Sequence, residues 1–119
     1  MVALGPGIVV LVRFPFSDLS SSKLRPAVVL AHAGGVDWVL CQVTSNPYGD
    51  RAAVALGESS FESGGLGRDS VVRPGKLLRP GKLFTASEAI VVRRAGVLTR
   101  EAHRKIVASV VGVLESGLR

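Results

Sequence analysis

The chain has 119 residues, of which 47% are hydrophobic and 5% aromatic, and its formal net charge is +6. This length fits one domain, and the apolar content excludes an intrinsically disordered chain. The only cysteine, Cys41, excludes an internal disulfide and a multi-cysteine zinc site.

We therefore expect a single domain over residues 1–119, with a core of Val, Leu, Ile and Ala that favours sheets. Cys41 has apolar neighbours and is predicted to be a buried strand thiol. The first twelve residues lack the basic start of a signal peptide, and no apolar run is long enough to cross a bilayer. These features predict a cytoplasmic protein without a membrane partner.

Short apolar runs separated by turn residues predict five or six strands. The first, Ile8–Phe14, is apolar on both faces for most of its length. The others cover residues 26–31, 38–44, 52–56, 69–73 and 90–93, and residues 63–67 are predicted to form a flexible bend.

One helix is predicted at the end of the chain. Thr99 is a good N-cap, and Gly117 is a suitable stop. Between them the apolar residues recur at helical spacing, at Ala102, His103, Ile106, Val107, Val110, Val111 and Leu114. The predicted fold class is mainly β: a strongly bent antiparallel sheet or SH3-like barrel with a C-terminal α-helix.

Positive charge is concentrated in the second half of the chain. From Arg68 to Lys105 there are ten Lys or Arg and three Asp or Glu, a net +7 that leaves −1 for the rest. A basic half favours a polyanionic partner such as nucleic acid, an acidic protein segment or an anionic membrane. The alternative is charge that only keeps the protein soluble.

A hexapeptide occurs twice in this basic half. Residues 73–78 read Arg-Pro-Gly-Lys-Leu-Leu, and residues 79–84 read Arg-Pro-Gly-Lys-Leu-Phe. Two copies are too few for a solenoid, so a local tandem duplication is the simpler explanation. Each copy has a turn-forming Pro-Gly and two cations, which predicts an enlarged loop with four positive charges.

The candidates for chemistry are few. Arg25 precedes Pro26 at the start of a predicted strand, and Thr44 ends another strand within the polar run 42–46. Arginine can hold a phosphate bidentately, and a threonine hydroxyl can add a hydrogen bond. On residue type alone, a surface arginine and an edge threonine are the favoured explanation of these positions.

Other kinds of site find little support in the sequence. His32 and His103 could serve as an acid–base pair, but nothing brings them together, and a loop histidine and a packing histidine are the alternative. No close-set carboxylates, Gly-rich phosphate loop or nucleophile elbow is present.

Several motifs, in order along the chain, resemble the MazF/PemK family of toxin endoribonucleases. The resemblance covers nearly the whole chain, and its blocks are residues 7–12 with 14–19, 23–30, 41–45, 64–66, 69–74 and 82–85. It implies an SH3-like barrel that forms a homodimer, and a toxin of a type II toxin–antitoxin system that inhibits growth. It also implies a partner, a cognate antitoxin with an acidic disordered tail, with which the toxin binds DNA.

The resemblance further implies an enzyme that cuts single-stranded RNA without a metal or other cofactor. Arg25 and Thr44 occupy the positions of the catalytic pair, and the ribose 2′-OH would attack its own 3′-phosphate to leave 2′,3′-cyclic phosphate and 5′-OH ends. The candidate substrate-binding residues are Phe16, Ser17, Lys23, Gln42, Ser45 and Asn46. Phe16 is equally a candidate core anchor.

The repeated hexapeptide departs from the family pattern, which has a single copy. It could therefore alter the cut-site preference, the dimer or the activity. Two alternatives to the nuclease stay open: a toxin of the same fold that poisons DNA gyrase, and a catalytically silent module that binds RNA or antitoxin.

Overall fold

The computed structural model describes residues 3–14, 23–44, 51–64 and 77–118. Within them lie seven strands, one α-helix and two short 3-10 turns, Glu58–Ser60 and Glu88–Ile90. The strands and the helix are β1 Ile8–Phe14, β2 Lys23–Gly34, β3 Asp37–Thr44, β4 Val54–Ala55, β5 Phe61–Gly64, β6 Leu77–Ser87, β7 Val91–Leu98 and α1 Arg100–Glu115.

The described strands form one sheet in the order β4-β6-β3-β2-β1-β7-β5, and all neighbours are antiparallel. A tight hairpin joins β2 to β3, and Gly34 and Gly35 adopt positive φ values of 109° and 55° there. Glycine reaches this region without steric cost, which explains the Gly-Gly pair. The predicted class, mainly β with a C-terminal helix, is confirmed.

Two apolar clusters cover the two faces of the sheet. The helix-face cluster, which α1 covers, consists of Val9, Val28, Leu30, Cys41, Val43, Leu56, Leu78, Leu98, Ile106 and Val110. The opposite-face cluster consists of Val10, Val12, Ala27, Val29 and Leu40. Side chains alternate between faces along a strand, so the unbroken apolar run of β1 reflects burial on both sides. The predicted burial of Cys41 is also confirmed.

The helix begins as predicted. The Thr99 hydroxyl accepts a hydrogen bond of 3.1 Å from the Ala102 backbone N–H, which caps the first turn. The buried surface of α1 is narrower than the sequence pattern indicates. Ile106 and Val110 are buried, whereas three residues of the predicted apolar stripe are exposed, Val107, Val111 and Leu114.

Several predicted bounds were wrong. The second strand extends over Lys23–Gly34, the fourth is only Val54–Ala55, and the last continues to Leu98. Ser63 and Gly64 belong to β5 and not to a bend, because residues 61–64 pair with β7. The strand predicted at 69–73 lies outside the described residues. That one domain spans residues 1–119 stays a prediction.

The prediction of an enlarged loop at residues 73–84 was wrong for residues 77–84. Residues 77–84 lie in β6, and Leu78 and Pro80 are fully buried. Burial of these two apolar side chains explains why the segment packs on the sheet and does not extend into solvent. Residues 73–76 lie outside the described residues.

Candidate active site

Arg25 and Thr44 lie at the ends of neighbouring strands. Arg25 is the third residue of β2, is exposed, and pairs across the ladder with Val12 of β1. Thr44 is the last residue of β3, is half-buried, and pairs with Leu77 of β6. Both positions therefore belong to regular strands with a defined direction.

The register between β2 and β3 relates the two positions. Ala27 pairs with Gln42, Val28 with Cys41 and Val29 with Leu40, and Ala27–Gln42 is the last pair of the ladder at this end. Extending the same register by two residues sets Arg25 opposite Thr44. Directly opposed residues in an antiparallel pair have Cβ atoms about 5 Å apart. A guanidinium and a hydroxyl at that spacing can contact the same small group.

Both side chains belong to the face away from α1. Side chains two or four residues apart on a strand share a face. Arg25 lies two residues before Ala27 on β2, and Thr44 lies four residues after Leu40 on β3. Ala27 and Leu40 are both in the opposite-face cluster. Val12, the cross-strand partner of Arg25, is in the same cluster. Arg25 and Thr44, here called the candidate pair, thus lie on the opposite face next to its buried cluster, and Arg25 is exposed to solvent.

This arrangement suits a phosphate. The planar guanidinium donates two parallel hydrogen bonds to phosphate oxygens, and the threonine hydroxyl adds a third donor from the neighbouring strand. The strands fix the backbones of both residues, so less conformational freedom is lost when an anion binds than at a mobile loop. A cation with a hydroxyl can stabilise charge that develops on phosphorus.

The other predicted site residues are distributed unevenly. Gln42 is half-buried and lies two residues before Thr44 on β3, so it shares the face of the candidate pair. Lys23 is the first residue of β2, where its backbone pairs with Phe14. Four predicted residues lie outside the described part of the chain: Phe16, Ser17, Ser45 and Asn46.

The two histidines do not form a pair. The His32 Nε2 atom lies 2.8 Å from the Gly35 carbonyl oxygen, and the ring packs against Trp38 of the opposite face with centroids 4.9 Å apart. His103 is on α1 beside Gly7, on the other side of the sheet. Burial lowers the pKa of His103 from its ordinary value of 6.5. His103 is thus a packing histidine, as the sequence offered, whereas the loop position offered for His32 is wrong because His32 lies in β2.

Two further searches concern only the described residues. No group of three or more His, Cys, Asp or Glu side chains among them could hold a metal ion. None of their helices is long and apolar enough to cross a membrane.

Sequence reasoning missed one feature of this region. Cys41 pairs with Leu83 and Val43 with Leu78, so the ladder between β3 and β6 is interrupted opposite Gln42. β3 advances two residues there while β6 advances five. The signal that could have located this bulge is the duplicated hexapeptide, because a short insertion within paired strands must be accommodated by a bulge.

No family model matches the sequence, and no curated protein matches it. Solved structures do match the fold over almost the full chain. An endoribonuclease from a mycobacterial species, in complex with its cognate antitoxin, superposes with a TM-score of 0.70 at 16% identity and covers 98% of both chains. MazF of the MazE–MazF complex from Deinococcus radiodurans gives 0.68 at 16% identity, with 92% and 94% covered.

A third match is the Mycobacterium tuberculosis toxin MazF-mt6, with a TM-score of 0.66 at 10% identity and coverage of 91% of this chain and 96% of the other. The chain has the fold of the MazF toxins. The resemblance carried by the sequence motifs is thereby confirmed in three dimensions. In this MazF-like fold, the structure adds the positions of Arg25 and Thr44 on the neighbouring strands β2 and β3 and the interrupted ladder between β3 and β6.

Proposed function

We propose that this protein is the toxin of a type II toxin–antitoxin system and a metal-independent endoribonuclease that cuts single-stranded RNA at selected sequences. The observation that supports the proposal is the β2–β3 register of a MazF-like fold, whose extension by two residues beyond Ala27 and Gln42 sets Arg25 opposite Thr44. An arginine and a hydroxyl so placed fit the phosphate of a nucleic acid.

The reaction uses the substrate's own nucleophile. The ribose 2′-oxygen forms a bond to the adjacent phosphorus, the bond from phosphorus to the 5′-oxygen breaks, and the 2′-OH proton is lost as the leaving oxygen gains one. The products are a 2′,3′-cyclic phosphate and a 5′-OH, with no net consumption of water. DNA lacks the 2′-OH and is not cut.

Arg25 acts by electrostatics in this proposal. Its guanidinium stabilises the extra negative charge on the pentavalent phosphorus, which is the largest kind of contribution an enzyme makes to such a step. Arginine side chains are in general poor bases, so the proposal assigns Arg25 no proton to accept. Thr44, with Ser45, orients the phosphate by hydrogen bonds, and Gln42 lies beside them on the same face.

In this proposal, the residues around Arg25 and Thr44 select the RNA bases at the cleavage site. Unpaired bases are recognised by stacking and by hydrogen bonds to their edges. The candidates are those that the resemblance indicates: Phe16, Ser17, Lys23, Gln42 and Asn46.

The partner is an antitoxin with an acidic tail, and the protein is a homodimer that acts in the cytoplasm. Support comes from the net charge of +7 between Arg68 and Lys105, which complements an acidic segment. Two of the similar solved structures are toxin–antitoxin complexes. Sedimentation of the purified protein tests the homodimer, and binding of an acidic peptide that is lost at high salt tests the charge match.

The decisive experiment is incubation with single-stranded RNA in excess chelator, beside all-DNA strands of the same sequence. We expect cleavage of RNA alone, with cyclic-phosphate ends, and its loss in Arg25→Ala. Arg104→Ala is the matched control, since Arg104 is exposed on α1, which covers the other face.

Three outcomes contradict the proposal. If intact protein cuts no RNA pool but arrests DNA gyrase, the gyrase-poisoning alternative holds. RNA or antitoxin binding without cleavage identifies the silent module instead. Cleavage that persists in Arg25→Ala removes the role of this arginine.

A further inference from the structure

The interrupted ladder between β3 and β6 lies directly beside the candidate pair. Between its two flanking pairs, Cys41 with Leu83 and Val43 with Leu78, β6 holds three more residues than regular pairing needs. Gln42 is the β3 residue opposite this bulge, and it lies two positions from Thr44. The bulge is therefore part of the surroundings of the proposed active site.

The extra residues come from the second copy of the hexapeptide. Residues 79–82 read Arg-Pro-Gly-Lys, and Pro80 among them is fully buried. Proline has no backbone N–H to donate, so a bulge is one of the few places within a sheet that accepts it. The buried ring anchors the insertion on the sheet, and the residues around it are held in place.

Lys82, the last residue of this insertion, is exposed. It lies two residues before Phe84, which pairs with Leu40 and packs on the opposite-face cluster. Lys82 adjoins Leu83, which still pairs regularly with Cys41. Continuing the alternation of β6 by this one residue assigns Lys82 to the face of Leu40, and so to the face of Arg25 and Thr44.

The distance from Lys82 to Arg25 follows from sheet geometry. β6 and β2 flank β3, so their backbones are about 10 Å apart, and the level of Gln42 is about 7 Å along the strand from that of Thr44. The two backbone positions are thus about 12 Å apart. Two long cationic side chains at this separation can hold different phosphates of one strand.

We propose that Lys82 is a positioning residue that binds a second RNA phosphate, next to the one that reacts, and that the duplicated hexapeptide supplies this subsite. The proposal rests on the proposed ribonuclease function. Lysine holds phosphate as a point charge and reads no base, so the subsite strengthens binding equally for all RNA sequences.

The first test compares Lys82→Ala with Lys105→Ala, a matched loss of one exposed lysine on α1, away from this face. Cleavage of a short RNA is measured over a range of salt concentrations. We expect Lys82→Ala to raise KM severalfold with kcat unchanged, and to reduce the slope of log KM against log salt by about 0.7, the value for one phosphate contact on a single strand. Lys82→Arg keeps the wild-type values.

The second test changes the substrate. An uncharged methylphosphonate linkage is moved along the RNA one position at a time. Wild type is expected to show one sensitive linkage beyond the cleaved one, and Lys82→Ala to lose that sensitivity. Equal salt slopes in the two alanine variants, or a sensitive linkage that persists in Lys82→Ala, overturn the subsite.

A separate measurement distinguishes failure of the proposed ribonuclease activity from failure of the Lys82 subsite. If the intact protein cuts no RNA, binding of labelled RNA is measured by fluorescence anisotropy. A reduced salt slope in Lys82→Ala but not in Lys105→Ala then supports the subsite in a silent RNA-binding module. Absence of both cleavage and binding overturns the two proposals together.

Discussion

The two faces of the sheet use alternate residues of the same strands for different purposes. On the helix face, Val28, Cys41 and Val43 are buried beneath Ile106 and Val110 of α1. On the opposite face, the buried cluster is followed towards the strand ends by polar and cationic residues, namely Arg25, Gln42 and Thr44. The period of two along a strand lets one segment stabilise the fold and display a site at once.

This contrast makes a general prediction. Substitutions on the helix face should change the free energy of unfolding and leave the intrinsic cleavage step unchanged, whereas substitutions at the site should do the reverse. The following predictions run from the largest expected effect to the smallest.

Ile106→Ala is expected to cost about 2–5 kcal/mol of the free energy of unfolding, because a fully buried side chain leaves a cavity. Chemical denaturation measures the loss. The single-turnover cleavage rate, taken well below the unfolding temperature, should match wild type. Val107→Ala is the control, since that neighbour is exposed and should change stability by less than about 1 kcal/mol. Equal losses in the two variants would contradict the assignment of the buried helix stripe.

Arg25→Ala is expected to reduce the cleavage rate about 10²–10³-fold, the usual effect of removing one transition-state contact. Arg25→Lys should restore only part of the rate, because an ammonium cannot bind phosphate bidentately. Arg25 is exposed, so both variants should unfold at the wild-type denaturant concentration. A loss of rate that merely follows a loss of folded protein would instead make Arg25 a structural residue.

Thr44→Val is expected to slow cleavage roughly 10–100-fold, since a hydrogen bond to a charged oxygen contributes about 1.5–3 kcal/mol. Thr44→Ser keeps the hydroxyl and should retain most of the rate. The measurement is single-turnover cleavage with saturating protein. If Thr44→Ser is as slow as Thr44→Val, the hydroxyl alone does not account for the role of Thr44.

The smallest effect concerns pH and the helix face. His103 has a lowered pKa because burial disfavours its charged form, and within the described residues its Nδ1 has no hydrogen-bond partner. The unfolded chain therefore binds this proton more readily, and stability should fall as pH decreases below 6.5. The ring is only partly buried, so solvent screening keeps the effect small.

His103→Gln should flatten this dependence, measured as the denaturation midpoint at pH 7.5 and at pH 5.5. The cleaved-end chemistry should be the same in wild type and variant at either pH. A midpoint that falls equally in both proteins would assign the pH dependence to other groups.

The sequence by itself determined the fold class, the N-cap at Thr99, the burial of Cys41 and the resemblance that singled out Arg25 and Thr44. These follow from local chemistry: apolar runs, capping residues and motifs whose order can be read directly. It overstated the buried surface of α1, because helical spacing shows which side chains share a stripe and not how far the sheet covers it.

Only the tertiary structure decided which residues meet. Register depends on long-range hydrogen bonds between strands, and a shift of one residue would have moved Thr44 to the other face. The duplicated hexapeptide shows this most clearly. Its sequence predicts a loop, but burial of Leu78 and Pro80 draws the second copy into β6 as a bulge. The fold thereby brings Lys82 near residues that are 38 positions (Thr44) and 57 positions (Arg25) away in the chain.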